Sequence, residues 1–459
     1  MNTATDILAS GNRSDMTAII GLGKTGISVA NYLGSQGIAC EGFDEHAVST
    51  PDSLHIPVHI GKLDAKILNQ FGRIIVSPGV NWNHPALCAA REASVPVSGD
   101  LDLFRDVFHG DLIAVTGTNG KTTTVTLIGI LMDTLPGGID VAGNIGKPML
   151  DLFEDTGSPE RVALELSSFQ LERAGIIHPR WAALLNVQPD HTDMHSDAQA
   201  YEAAKLRLFE AQGAGDTAML PNDEHWGSLA ENLAGRGVRV HRFGYGAAEF
   251  LCAGVQLLDA GNWQIFWRHG DHIEYIQASE LRVRGIHQHM NLAIAAQAAA
   301  DFGVSPSVIR LGLTSFHGLE HRLQSLGIID KREWFDDSKA TNPDAAIAAL
   351  TAFDQVIWIC GGLSKDINLS GLQDTIAKHV AHAFIIGKDP KPYADLCLQA
   401  GVQTTIAGTI QQAVKQAVRA QPGLPVLLSP AAASQDQFRD YNERGRAFAD
   451  AARALEEQA

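Results

Sequence analysis

Cysteine is scarce: Cys40, Cys88, Cys252, Cys360 and Cys397 are the only five among 459 residues. An odd number at such wide spacing argues against a disulfide framework or a cysteine-based zinc site, and for a reducing compartment. Long apolar runs are missing too, since no stretch reaches the ~20 residues a membrane-spanning helix needs. Met1 to Asp15 is polar and lacks the charged-then-apolar order of a secretion signal, so the cytoplasm is the expected location. Basic residues are in deficit, 35 against 52 acidic ones, for a formal net charge of −17. That balance argues against a nucleic-acid-binding face. It also means that bound phosphates must be neutralised locally, by lysines, helix ends and metal ions. Repeats and low-complexity segments are absent. What is present is a globular composition, 45% hydrophobic and 19% charged. The length suits about three domains of ~100–200 residues each.

Strand-like and helix-like runs alternate along the chain. Thr17-Ala18-Ile19-Ile20 leads into Gly21-Leu22-Gly23-Lys24-Thr25-Gly26 and a helical pattern through Leu33, and Ile74-Ile75-Val76 ends at Ser77-Pro78-Gly79. A second set holds Leu112 to Val115, Val162 to Leu166 and Ala182 to Val187. Residues 215–285 alternate less regularly and read as an antiparallel or irregular edge, and Ala293 to Ala300 as an alanine-rich helix. After Phe316-His317-Gly318 come Val356 to Ile359, Phe384 to Ile386 and Val426 to Leu428. Such alternation predicts an α/β class with parallel sheets, in three domains at 1–100, 101–317 and 318–459.

The most specific motif is Gly117-Thr118-Asn119-Gly120-Lys121-Thr122-Thr123, set between an apolar strand and a helix. A glycine-rich turn at a helix N-terminus offers backbone N–H groups to an anion. Lys121 would reach terminal phosphates and the Thr122 hydroxyl would ligate magnesium. The loop is shorter than the common P-loop, because Val115 stands where the first glycine belongs. Gly21-x-Gly23-x-x-Gly26, with Asp44 downstream, suits a dinucleotide or another nucleotide diphosphate, or a tight structural turn. Glu165 closes a strand where α/β proteins bind ligands and would suit magnesium, or would be a buried structural glutamate. His191 follows a strand on the same side. Lys205 sits in an amphipathic helix and, by itself, reads as a solvated lysine. The Asp337-to-Asn342 cluster, Lys365, Ser434 and Tyr441 place polar groups at the edge of the third sheet.

In order and number, these pieces resemble the Mur ligases nearly end to end. The carriers include Gly143-Asn144-Ile145-Gly146, Glu165-Leu166-Ser167-Ser168-Phe169-Gln170-Leu171, Asn186 with Asp190-His191, Ala204-Lys205, His321-Arg322 and Ser429-Pro430 with Ser434. The resemblance implies a Rossmann-like N-terminal domain for a UDP-sugar, a central P-loop ATPase domain and a Rossmann-like C-terminal domain. The Glu165-to-Leu171 string points to the branch that adds D-glutamate to UDP-N-acetylmuramoyl-L-alanine, in peptidoglycan precursor synthesis, through an acyl phosphate. It implies Gly23, Lys24, Thr25, Asp44, Ser77, Gly79, Asn144 and Ser167 for the UDP-sugar. For ATP it implies residues Gly117 to Thr123, Asn291 with Gln288 at the adenine, Arg322, Asp337 and Lys339. Thr341, Lys365, Ser434 and Tyr441 would take glutamate. Lys121, His191 and Lys205 would be catalytic. Thr122, Glu165, His191 and Lys205 would hold two magnesium ions, with Lys205 carbamylated by carbon dioxide, which requires its neutral amine. A monomer is expected. Gln288 stands where asparagine is usual, and Tyr441 where phenylalanine is common. The alternatives are a sibling Mur-type or folylpolyglutamate-type ligase, a nicotinamide-dependent oxidoreductase, or a P-loop binding module.

Overall fold

The computed structural model describes residues 13–46, 51, 54–144, 146–153, 157–188, 197–259, 262–363 and 369–455. The chain divides into two compact units, Met1–Phe243 with Ala298–Val304, and Gly244–Gln297 with Ser305–Ala459.

In the first unit, five short strands form one parallel sheet: β1 (Thr17–Ile20), β2 (Cys40–Asp44), β3 (Val58–Ile60), β4 (Arg73–Val76) and β5 (Val97–Ser98), ordered β3-β2-β1-β4-β5. Successive residues of a strand point to opposite faces. Ile19 and Ile75 therefore enter one apolar core, while Ala18, Ile20, Ile74 and Val76 enter another. The order in which strands are added to the sheet reverses between β1 and β4, and the crevice beyond their carboxyl ends is where such sheets bind ligands.

A second parallel set in the same unit comprises β6 (Asp111–Thr116), β7 (Asp140–Gly143), β8 (Arg161–Glu165), β9 (Trp181–Leu184), β10 (Thr217–Pro221) and β11 (Arg239–Tyr245). Its order, β11-β10-β9-β6-β8-β7, puts the ends of β8, β6 and β9 side by side. The helix Lys121–Met132 behind β6 is apolar on nearly all sides and buried. One core runs without a break from Ile19 and Val29, through Leu101, Phe104 and Leu164, to Leu220 and Val238.

The second unit contains an antiparallel meander, β12 (Ala253–Asp259), β13 (Asn262–His269) and β14 (His272–Gln277). It also contains a sheet of β15 (Gln324–Ile329), β16 (Arg332–Asp336), β17 (Val356–Cys360), β18 (Val380–Ile386), β19 (Gln403–Gly408) and β20 (Val426–Leu428), ordered β15-β16-β20-β17-β18-β19. Only the β15–β16 pair is antiparallel. Its helices carry apolar stripes at helical spacing: Ile410, Ala413, Val414 and Ala417 all face the core. Helix starts are fixed by side-chain caps, such as Asn342 accepting from Ala345 N with Pro343 in the first turn, and Asp440 accepting from Glu443 N. Among the described residues no helix is long and apolar enough to cross a membrane.

Candidate active site

The loop after β6 is built on close backbone approach. Gly117 has φ 153°, and a Cβ there would lie 3.0 Å from the Leu185 Cβ, so a side chain would be strained by the backbone and crowded by its neighbour. Lys121 folds back over the loop and donates to the carbonyls of Gly117 (2.7 Å) and Thr118 (2.8 Å). Asn186, beyond β9, accepts from Thr118 N (3.1 Å) and Asn119 N (2.8 Å) through one amide oxygen. Those two donors are therefore occupied, and the first turn of the Lys121–Met132 helix supplies the remaining anion-facing backbone.

At the end of β8, Glu165 is 2% exposed. Its two oxygens accept from the Thr122 hydroxyl (2.8 Å) and the Asn144 amide (3.1 Å), both neutral donors. Lys205, in the helix Ala198–Leu206, is only 1% exposed. Its ammonium donates to the Gly117 carbonyl (2.9 Å) and lies 4.3 Å from the centre of the Tyr201 ring. The Tyr201 hydroxyl in turn meets Thr118 Oγ1 at 3.1 Å. Lysine, P-loop and buried carboxylate thus share one polar nest.

A cavity of about 500 Å³ opens beyond β1 and β4. Gly21, Gly23, Lys24, Thr25, Asp44 and Ser77 line it, as does Asn144 from beyond β7. Asp44 braces the turn by accepting from Leu22 N (2.8 Å) and His46 N (2.9 Å). Ser77 donates to the Gly21 carbonyl (2.7 Å). A Cβ on Gly26 would lie 1.9 Å from that carbonyl, so only glycine lets the helix Lys24–Ser35 sit so close to the turn. Ser167 is spent on a capping box with Gln170 at the start of the helix Ser168–Arg173.

In the second unit, Asp336 ends β16 and Asp337 follows it directly. His321 and Leu323 take positive φ (61° and 50°), a costly conformation for L-residues. Hydrogen bonds hold both: the His321 ring meets Asp336 at 2.6 Å, and Leu323 N donates to Asp337 at 3.0 Å. Burial pushes the Asp337 carboxyl up to about 8, against the pull of its bonds from Ser429 and Leu323. Arg444 ties the strand ends together by donating to Ser338 O (2.7 Å) and Ala432 O (3.0 Å); burial lowers it to about 10. Lys339 lies 4.0 Å from the Tyr441 ring centre. Thr341 is half-buried, and Ser434 is buried. On the helix Ile286–Asp301, Gln288 and Asn291 are buried one turn apart, and Gln288 Oε1 has no hydrogen-bond partner among the described residues.

Three family models match this chain: "Mur ligase MurD-like, N-terminal domain" over residues 15–99, "Mur ligase middle domain" over 115–299, and "Mur ligase, glutamate ligase domain" over 321–432. The UDP-N-acetylmuramoylalanine--D-glutamate ligase of Pseudomonas syringae pv. syringae (strain B728a) is 35% identical over 452 residues, covering 95% of this chain and 97% of that protein. The chain belongs to the Mur ligase family. The protein of the same name from Caulobacter vibrioides (strain NA1000 / CB15N) is 36% identical over 456 residues, covering 95% of each. Among solved structures, UDP-N-acetylmuramate-alanine ligase MurC from Thermotoga maritima shares the fold, with a TM-score of 0.60 at 18% identity, covering 95% of this chain and 98% of that one.

In this Mur ligase the first unit brings together Gly117 to Thr123, Glu165, Asn144 and Lys205. Separately it gathers Gly23, Lys24, Thr25, Asp44, Ser77 and Gly79 around the cavity. Arg322, Asp337, Lys339, Thr341, Ser434 and Tyr441 belong to the second unit. His191 and Lys365 lie outside the described residues. Sequence reading did not assign Asn186 to the site, although its place just beyond a strand was a usable signal.

Proposed function

We propose that this Mur ligase is an ATP-dependent ligase that joins D-glutamate to UDP-N-acetylmuramoyl-L-alanine, as its curated relatives are named. The observation that carries the reading is Asn144. It lines the cavity beside the glycine turn and donates to Glu165, whose carboxylate touches Thr122 of the P-loop. A sugar nucleotide seated in the cavity therefore has its far end directed towards a triphosphate on the P-loop. The cavity volume is in the range of small-ligand sites.

The first step moves the γ-phosphoryl group from ATP to the substrate carboxylate. A carboxylate oxygen forms the new P–O bond, the β–γ bridging bond breaks, and ADP leaves. The neutral amine of glutamate then attacks the acyl carbon, its surplus proton goes to solvent or a nearby base, and phosphate departs with the C–O electron pair. Both steps crowd anions together, so positioning and charge stabilisation dominate. Lys121 exchanges its two loop carbonyls for phosphoryl oxygens, and the first-turn amides of its helix hold the phosphate chain.

The donor chemistry fits magnesium: Glu165 is a buried carboxylate whose partners among the described residues are neutral oxygen- and nitrogen-bound protons, which leaves its charge for a hard cation. In this proposal Thr122 and Glu165 would hold one ion, and His191 with a carbamylated Lys205 the other, and magnesium held there would shield the phosphate charge. The burial of Lys205 beside the P-loop, in place of the solvated position its helix suggests, supports that role. Gln288 and Asn291 offer buried amides to adenine. Arg322, Asp337 and Lys339 serve ATP, while Thr341, Lys365, Ser434 and Tyr441 receive glutamate.

Release of ADP, followed with UDP-N-acetylmuramoyl-L-alanine and a panel of amino acids, tests the assignment. Stimulation by D-glutamate alone is expected. Equal turnover with L-glutamate or L-lysine overturns it.

A further inference from the structure

The loop Ser77 to Val80 follows β4 and walls the cavity, and one buried side chain holds it from behind. Arg173, 6% exposed, is the last residue of the helix Ser168–Arg173. Its guanidinium donates to the carbonyls of Ser77 (2.9 Å), Pro78 (2.9 Å) and Val80 (2.8 Å). It also lies 5.5 Å from the ring centre of Trp82, whose ring lies 4.8 Å from the guanidinium of Arg91. Among the described residues Arg173 forms no ion pair, so its fork is devoted to backbone oxygens.

Those three bonds set the polarity of the loop. All its peptide bonds are trans, and a trans peptide points its N–H away from its C=O. Drawing the Pro78 and Val80 carbonyls towards Arg173 turns the Gly79 and Asn81 N–H groups to the other side of the loop. Gly79 and Asn81 both line the cavity. Ser77, held by the same fork, passes the constraint on by donating to the Gly21 carbonyl of the glycine turn.

We infer that Arg173 is a positioning residue for the sugar-nucleotide site: it orients the 77–81 loop so that its amides and the glycine turn together receive an anionic nucleotide. A lysine keeps the charge and the stem at this place but cannot reach three carbonyls at once. The inference rests on the proposed function, and the test separates the two.

Calorimetric titration of the full chain with UDP, and of R173K and R173M alongside it, measures the site without catalysis. Binding of UDP by the parent is expected, with affinity at least 10-fold weaker in both variants and ADP affinity unchanged within 2-fold. In the ligase assay the KM for the sugar nucleotide rises by the same factor, while kcat and the KM for ATP stay within 2-fold. A parent that does not bind UDP sinks the proposed function. A parent that binds and an R173K that binds equally well overturn the inference. Equal losses of UDP and ADP affinity also overturn it, since they indicate general loosening of the unit. R173K retains the buried stem and the positive charge, so it keeps the question open to measurement if R173M does not fold.

Discussion

Replacing Asp100 by asparagine removes a charge that the fold holds at a cost. Asp100 is 5% exposed, and burial pushes its carboxyl up from 3.8 to about 6. Hydrogen bonds from its own and the Leu101 backbone and from Gln170, with the field of Arg173, oppose that rise without cancelling it. A carboxyl whose folded pKa is raised holds its proton more tightly in the folded state. Below about pH 4 both states are protonated and the group is neutral to stability. Between about 4 and 6 the unfolded chain ionises first, and stability falls as pH rises. Above about 6 the folded state carries a buried charge at full cost, and two pKa units at about 1.4 kcal/mol each make that roughly 3 kcal/mol. Asparagine has one acceptor oxygen fewer, which gives back about 1 kcal/mol. Asp100→Asn is therefore expected to be about 2 kcal/mol more stable than the parent at neutral pH, with the advantage gone near pH 4.5. Urea unfolding of both proteins, side by side at several pH values, measures the difference and cancels the titration of all other groups. A difference that is flat with pH, or that grows towards acid, refutes the reasoning; either would mean that Arg173 and the hydrogen bonds outweigh burial.

Lys205→Ala is expected to lower kcat on the order of 100-fold or more. Because Lys205 is buried, its removal leaves a void, and a short carboxylic acid placed there partly restores turnover; full activity in the variant excludes a carbamate role. Gly26→Ala forces a Cβ against the Gly21 carbonyl, so about 1–3 kcal/mol of stability is lost. UDP affinity falls with it, as calorimetry and thermal unfolding read together; unchanged binding would show that the helix can shift off the turn freely.

Sequence reading reached the strand ends because glycine turns and polar clusters there break an apolar pattern that a parallel sheet requires. Gly21 to Gly26, Gly117 to Thr122 and Glu165 were legible for that reason; of residues 215–285, read as an irregular or antiparallel edge, only the β12–β14 part is antiparallel, while β10 and β11 join the parallel set. Lys205 was not legible from its helix alone: an amphipathic pattern cannot tell a lysine facing water from one facing a polar nest, and only the family resemblance marked it. Arg173 lay further out of reach. Its partners are carbonyls more than 90 residues earlier, and a carbonyl carries no residue identity. Nor could the glycine-rich spacing show that Asn186 would occupy two of the loop's amides, because that depends on β9 lying directly beside β6.

The unbroken core of the first unit has a consequence for modularity. Ile19, Val29 and Leu33 from the first sheet's side share one apolar cluster with Leu101, Phe104, Leu164 and Leu171. A fragment cut near residue 100 would expose that seam on both pieces, each of which needs the other's side chains to exclude water. The two proposed nucleotide sites, on separate sheets, thus share one apolar body. A ligand of either site stabilises the whole of it, and a shared melting transition would couple the two sites beyond the single bond from Asn144 to Glu165.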